Sequence, residues 1–152
     1  MQRLEWSALL ETGVAEMDAS HRALLQAIHA TIDADDGSLG ARITELLAAL
    51  AADFAEEEAL MDQLYYPTEH EHRAAHRRAL EALQHALPVA HSDPAEARSL
   101  LERLPRWFLG HLSAMDLPLA VAVESTSHPH SQPSSARLRQ QLAQLLQEQQ
   151  SI

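Results

Sequence analysis

Cysteine is absent from all 152 residues, which excludes disulfides, thiolate metal sites and cysteine nucleophiles. Lysine is absent too, so all eleven basic residues are arginine. Glycine occurs only four times, β-branched residues are sparse, and Ala, Leu, Glu and Gln abound. That composition favours helix over sheet. No apolar run is long enough to span a bilayer, and the opening "MQRLEWSALLETG" lacks the apolar stretch behind a basic start that a signal peptide needs. A formal charge of -11 leaves no basic patch with which to hold nucleic acid or an anionic membrane. These absences predict a soluble, cytoplasmic, helical protein of one bundle-sized domain with neither partner. What is present in excess is histidine, ten residues of it, and neutral imidazole is the commonest metal ligand.

Four amphipathic segments can be read along the chain. The first opens at Asp18, a good N-cap, and carries His21, Leu24, Leu25, Ile28 and Ile32 at spacings of three and four. "DADDGSLG" breaks it. The second, about 41–64, places Ile43, Leu46, Leu50, Asp53, Glu57, Met61 and Leu64 on one stripe and stops before Tyr66-Pro67. The third starts near Thr68, carries His72, His76, Leu80, Leu83 and Leu87 on one face, and is expected to end near Pro88. The fourth begins at "SDPAEA", where Asp93 caps, Pro94 takes the first helical position and Glu96 completes a capping box. It carries Leu100, Leu101, Leu104, Trp107, Phe108, His111 and Leu112, with Pro105 expected to kink or split it. The expected fold is all-α, an antiparallel up-and-down four-helix bundle over residues 1–123 with an N-terminal arm. A Ser/Pro-rich polar linker, 124–135, follows. Residues 136–152 form an extra C-terminal amphipathic helix with Leu138, Leu142, Leu145 and Leu146 on one face. It is expected to pack back on the bundle or fray, the alternative being a dimerisation or docking helix that joins copies in a homo-oligomer.

Each of the four segments sets a potential ligand on its apolar face: His21; Asp53 and Glu57; His72 and His76; His111 and Asp116. Side chains four apart on a helix point the same way one turn apart, so Asp53/Glu57 and His72/His76 can each grip one ion or span two. His111 and Asp116 are five apart and are expected to project at different angles, a histidine toward one metal and a carboxylate toward a second. A lone inward histidine is more often a hydrogen-bonded core residue, the expectation for His29 and His85. Three inward carboxylates with no inward arginine are another matter, because unpaired buried charges cost several kcal/mol or more each. Metal ions remove that cost and give all these groups one explanation. Nitrogen and carboxylate oxygen without sulfur suit iron, manganese or zinc.

The order "TGVAEMDASH", "DFAEEEALM", "HRAAH", "HLSAMD" resembles the hemerythrin family, specifically its bacterial single-domain members. Trp6, Gly13-Val14, Met17-Asp18 and His21 are similar to the family's N-terminal arm and first ligand. "FAEEEALM" resembles the signature that holds its bridging glutamate, here Glu57. His72 and His76 match its H-x3-H, and His111 with Asp116 match its H-x4-D. The resemblance spans roughly residues 4 to 123. It implies a non-heme di-iron centre that binds O2 or another small diatomic. Counterparts of His72, His76 and His111 hold one iron, and Glu57 and Asp116 bridge. His21 and a second histidine hold the other iron, which keeps a position open for O2.

That second histidine is missing. Where the family motif begins H-F-x-x-E-E, this chain has Asp53-Phe54-Ala55-Glu56-Glu57-Glu58. Asp53 could coordinate directly, coordinate through water, or fail to ligate; coordination is the expectation, since an unligated buried aspartate is hard to accommodate. The implied function is O2 carriage, storage or sensing, with chemistry altered at Asp53. A di-iron oxidase or peroxide-scavenging enzyme is the alternative, and a redox-sensing interaction module acting through the C-terminal helix is a third. Glu56 and Glu58 are expected to be solvated or to support ligands. His128 and His130 are expected to bind nothing, and Arg73, Arg77 and Arg78 to form a solvated surface. Leu24, Leu25, Ile28, Phe54, Met61 and Leu80 are core residues.

Overall fold

In the computed structural model, residues 3–127 and 141–147 are described. A short 3-10 turn, Ala8–Leu10, precedes α1 (Ala15–Ile32), α2 (Leu39–Leu64), α3 (Glu69–Ser92), α4 (Pro94–Leu101) and α5 (Leu104–His111). A single π-helical turn, Leu112–Asp116, then joins α5 to α6 (Leu117–Ser127). Short connections fold these into an antiparallel up-and-down bundle: α1, α2, α3, and a fourth rod made of α4, α5, the π-turn and α6. Most of the predicted stripe residues are buried, while Ile32, Leu64, Leu80, Leu87, Leu100 and Trp107 are half-buried at the margins. Leu24, Leu25, Ile28, Ile43, Leu46, Leu50, Leu83, Leu101 and Phe108 share one core. Met17, Met61, Leu119 and Ala120 form a second, smaller cluster.

Local chemistry accounts for the ends. Asp93 caps α4 by accepting from the Glu96 amide at 3.0 Å, with Pro94 in the first turn. Pro105 splits the fourth rod as expected, falling in the first turn of α5, where its missing N–H leaves no gap. α2 ends with Tyr65 in left-handed geometry at φ 48. Gly13 also needs positive φ, at 96, and a Cβ there would collide with the Glu124 carboxylate. Arg98 ties α4 to the α1–α2 connection through the Ile32 and Ala34 carbonyls at 3.1 and 2.6 Å.

Four expectations need correction. Asp18 is not the cap of α1, which starts three residues earlier at Ala15. Its carboxylate reaches back instead, accepting from the Thr12 amide and hydroxyl, both at 2.7 Å, and from the Gly13 amide at 3.2 Å. It fixes the N-terminal arm to the helix. Pro88 does not end α3, which runs on to Ser92; both Pro88 and the carbonyl-bearing Gln84 one turn back are exposed, so water can take the lost hydrogen bond. His29 has the expected partner, the Leu4 carbonyl at 2.7 Å, but His85 is exposed rather than a core residue. Finally, α6 continues to Ser127, so Glu124–Ser127 are helical and not linker.

Residues 141–147 are helical. Leu145 is fully buried in the main core with Leu142 packed beside it, while Leu146 is exposed. His128, His130, Leu138 and the rest of the expected linker and C-terminal helix lie outside the described residues. No helix among the described residues is long and apolar enough to cross a membrane.

Candidate metal centre

Seven side chains from all four rods converge between the two apolar clusters. His21, Asp53, Glu57, His72, His76, His111 and Asp116 are all buried, and among the described residues no arginine is buried with them. They form two overlapping groups of potential ligands. Glu57, His72, His76, His111 and Asp116 make one, and His21, Asp53 and Glu57 make the other.

The two shared carboxylates are oriented in the same way. Glu57 presents Oε1 to His21 Nε2 at 3.0 Å and Oε2 to His72 and His76 Nε2 at 3.2 and 3.0 Å. Asp116 presents Oδ2 to His21 Nε2 at 3.3 Å and Oδ1 to His72 and His111 Nε2 at 3.0 and 3.1 Å. Each carboxylate therefore gives one oxygen to each group. The three imidazoles of the larger group also aim Nε2 inward, with His111 Nε2 only 3.2 and 3.1 Å from those of His72 and His76.

His111 and Asp116 were expected to diverge, and they do not. At 3.6 residues per turn, five residues would separate them by about 140° around the axis. The π-turn from Leu112 to Asp116 widens the helix locally, so residues five apart fall on one face. The H-x4-D spacing is thus a convergent pair on a non-α turn.

Around the larger group the rings are held by stacking and a charged chain. Phe54 lies parallel to His76 with centroids 3.9 Å apart, and Trp107 stacks on His111 at 4.8 Å. His76 Nδ1 lies 3.1 Å from Glu58 Oε1, while Arg73 donates to Glu58 Oε2 at 2.9 Å and Asp62 Oδ1 at 2.6 Å. A carboxylate on the outer nitrogen orients such a ring and raises its basicity. Arg73 was expected to be merely solvated, and this pairing corrects that. Sequence periodicity could not find it, because Glu58 and Arg73 sit one residue off the ligand stripes and meet only when α2 and α3 pack.

The Asp53 side is built differently. Asp53 Oδ2 lies 3.8 Å from His21 Nε2, and Oδ1 accepts from the Ser20 hydroxyl at 2.6 Å. Ser20 carried no signal in the sequence: a serine beside a histidine has no periodic meaning. A cavity of about 390 Å3 reaches this side, lined by both Asp53 and Glu57.

The electrostatics mark a site made for positive charge. Burial opposes ionisation of every group here, yet it loses at three of them. Burial works against His21, but the hydrogen bond to Glu57 and the charges of Asp116, Asp53 and Glu57 raise it to about 9. His72 is likewise opposed by burial and raised to about 9 by Asp116 and Glu57. Glu57 is held below the usual carboxylate range despite its burial, through hydrogen bonds from His21, His72 and His76. At Asp53 burial wins: with the charge of Glu57, it pushes the carboxyl up to about 7 against the pull of His21 and Ser20. Glu57 Oε2 faces His72 and His76 Nε2, and Asp116 Oδ1 faces His72 and His111 Nε2, all at 3.0–3.2 Å and away from water, a costly arrangement unless positive charge lies among them. Inward imidazole nitrogens crowded against buried carboxylate oxygens are a fit for divalent metal ions.

Fold and site together define a helical-bundle metal-binding protein with an all-N/O donor set. The chain belongs to the hemerythrin HHE cation binding domain family, whose model matches residues 12–123. It is 32% identical to a bacteriohemerythrin of Ralstonia nicotianae over 117 residues, 76% of this chain and 85% of the relative. A bacteriohemerythrin of Pseudomonas paraeruginosa is 26% identical over 127 residues, 81% of this chain and 83% of the relative. No solved structure matches the chain significantly.

Proposed function

We propose that this chain is a non-heme di-iron protein that binds O2. His72, His76 and His111 would hold one iron and His21 and Asp53 the other, with Glu57 and Asp116 each offering an oxygen to both groups. The observation that carries this reading is the orientation of the two shared carboxylates, one oxygen to each ligand group. The iron pair supplies the electrons that O2 binding draws on. The protein's part is to hold the donors, keep the larger group dry beneath Phe54 and Trp107, and leave a route on the Asp53 side. The cavity beside Asp53 and Glu57 supports that placement of the open position.

Asp53 shapes the outcome. A carboxylate in place of an imidazole adds negative charge beside the open position, and negative charge favours the more highly charged, oxidised metal. Reversible O2 carriage is therefore poorer than in relatives with histidine here, and oxidation faster. The same residue favours one alternative, an oxidase or peroxide scavenger, because a readily oxidised centre with solvent access suits turnover.

Metal content and gas uptake test the reading. Two irons per chain and one O2 taken up per reduced chain are expected, with rapid conversion to the ferric form. Loss of all the bound O2 under vacuum, leaving the reduced protein unchanged after many cycles, would refute the effect assigned to Asp53. Asp53→His is expected to slow autoxidation at least about tenfold, since a change of 1.4 kcal/mol in barrier suffices; an unchanged rate would mean Asp53 does not contact the metal. Sustained consumption of reductant or peroxide would instead select the enzymatic alternative.

A further inference from the structure

The cavity beside Asp53 has a chemistry that passage of O2 does not require. Much of its wall is apolar, from side chains such as Met17, Leu60 and Val123, yet four carboxylates line it as well: Glu16, Asp53, Glu56 and Glu57. No arginine or histidine does. The four run from wet to dry. Glu16 and Glu56 are exposed, whereas Asp53 and Glu57 are 4% and 2% exposed. Nearby acids such as Glu58 and Asp62 are neutralised by Arg73, but Glu16 and Glu56 have neither an ion pair nor a side-chain hydrogen bond among the described residues. At the inner end Glu57 turns Oε1 toward His21 at 3.0 Å, and Asp53 Oδ2 lies 3.8 Å from the same ring nitrogen.

A neutral diatomic gains nothing from negative walls, and an anion is repelled by them. A hydrated divalent cation is attracted, and low-dielectric walls around like charges focus that attraction into the cleft. Carboxylate oxygens can also replace the water oxygens of such an ion one at a time without changing its donor type. We propose that this cavity is the port through which divalent metal ions reach the site, with Glu16 and Glu56 capturing the hydrated ion and Asp53 and Glu57 receiving it. The proposal rests on the metal-binding reading of the cluster. It carries a corollary: the His21/Asp53/Glu57 group fills and empties faster than the group built on three stacked or hydrogen-bonded histidines. Asp53 is then the inner step of a carboxylate path as well as a ligand.

Rapid mixing of the metal-stripped, full-length chain with Co2+ alone tests this, with uptake followed by visible absorbance and the final metal count measured separately. Glu16→Gln combined with Glu56→Gln is expected to slow second-order uptake about tenfold at low ionic strength. The difference should shrink in high salt, with the final count and the helical circular dichroism unchanged. Ala59→Leu, which narrows the cavity wall and keeps its charge, is expected to slow uptake too. Glu81→Gln removes an exposed carboxylate on α3 outside the cavity and should leave the rate alone. Wild-type uptake in the double variant, or equal slowing by Glu81→Gln, overturns the port while the metal-binding reading stands. Failure of the unmodified chain to take up Co2+ at all overturns both.

Discussion

The two halves of the candidate centre share Glu57 and Asp116 and differ in almost everything else. The His72/His76/His111 half is enclosed: two of its rings are stacked on Phe54 and Trp107, and His76 is braced by Glu58, itself held by Arg73. The His21/Asp53 half has one imidazole, one aspartate that accepts a hydrogen bond from Ser20, and a cavity at its side. Preorganised donors lose less freedom on binding than donors that must be gathered. One half therefore resembles a permanent mount, and the other a position where ligands, protons and metal exchange. On the function proposed above, that division puts the open position beside the residue that departs from the family pattern.

Removing what the halves have in common has the largest effect. Glu57→Ala deletes an oxygen from each group and leaves the opposing histidines without their counter-charge. Metal content measured per chain after dialysis should fall at both positions, with affinity down more than about 100-fold, beyond the range typical of outer supporting residues. Retention of one full equivalent would mean that the enclosed half does not depend on Glu57 and that the halves are more separate than their shared oxygens imply.

Supporting residues should separate the halves. Glu58→Ala leaves His76 Nδ1 without its carboxylate, and Ser20→Ala leaves Asp53 Oδ1 without its donor. Each is expected to weaken one metal position by about 10–100-fold and spare the other. Competition titrations with a chromophoric chelator resolve the two affinities. Equal loss at both positions from either variant would show one rigid unit instead of two.

How much of this was legible in the sequence follows from what each feature depends on. The stripes and the approximate helix boundaries depend on periodicity, which the chain displays plainly from Ile43 to Met61. The seven converging side chains follow from the same periodicity plus the cost of burying charge. Convergence of His111 with Asp116 was misjudged because a regular α-helix was assumed where the chain makes a π-turn. Asp18 was misassigned as a cap because an acid near a helix start can equally reach backward to Thr12 and Gly13. Ser20, Glu58 and Arg73 act through contacts between helices, and neither composition nor spacing encodes which neighbours meet. The pairing of an aspartate with an open cavity is visible only in three dimensions.

Protons should distinguish the halves by the smallest, but most graded, effect. In the metal-free protein His21 and Asp53 are raised to about 9 and about 7, so the His21/Asp53 half holds two displaceable protons at pH 6. In the enclosed half His72 is likewise raised to about 9. Metal must displace these protons, so each one costs roughly tenfold in apparent affinity per pH unit below its pKa. From pH 9 to 7 both halves should weaken as pH falls. Below pH 7 Asp53 adds a further proton that metal must displace on its own side. The metal-free fold moves the other way. A histidine raised from 6.5 to about 9 contributes stability that is complete below 6.5 and lost as pH rises through 9, and an aspartate raised from 3.8 to about 7 contributes stability complete below 3.8 and lost through 7. Stripped protein should thus melt lower as pH rises from 6 to 9, while loaded protein gains from tighter binding, and the gap between their melting temperatures should widen. Metal counts and melting curves across that range, compared with those of Asp53→Asn, decide it: an unchanged pH dependence below 7 at the Asp53 position in that variant would remove Asp53 from the set of groups that metal displaces protons from, and with it the chemical distinction between the two halves.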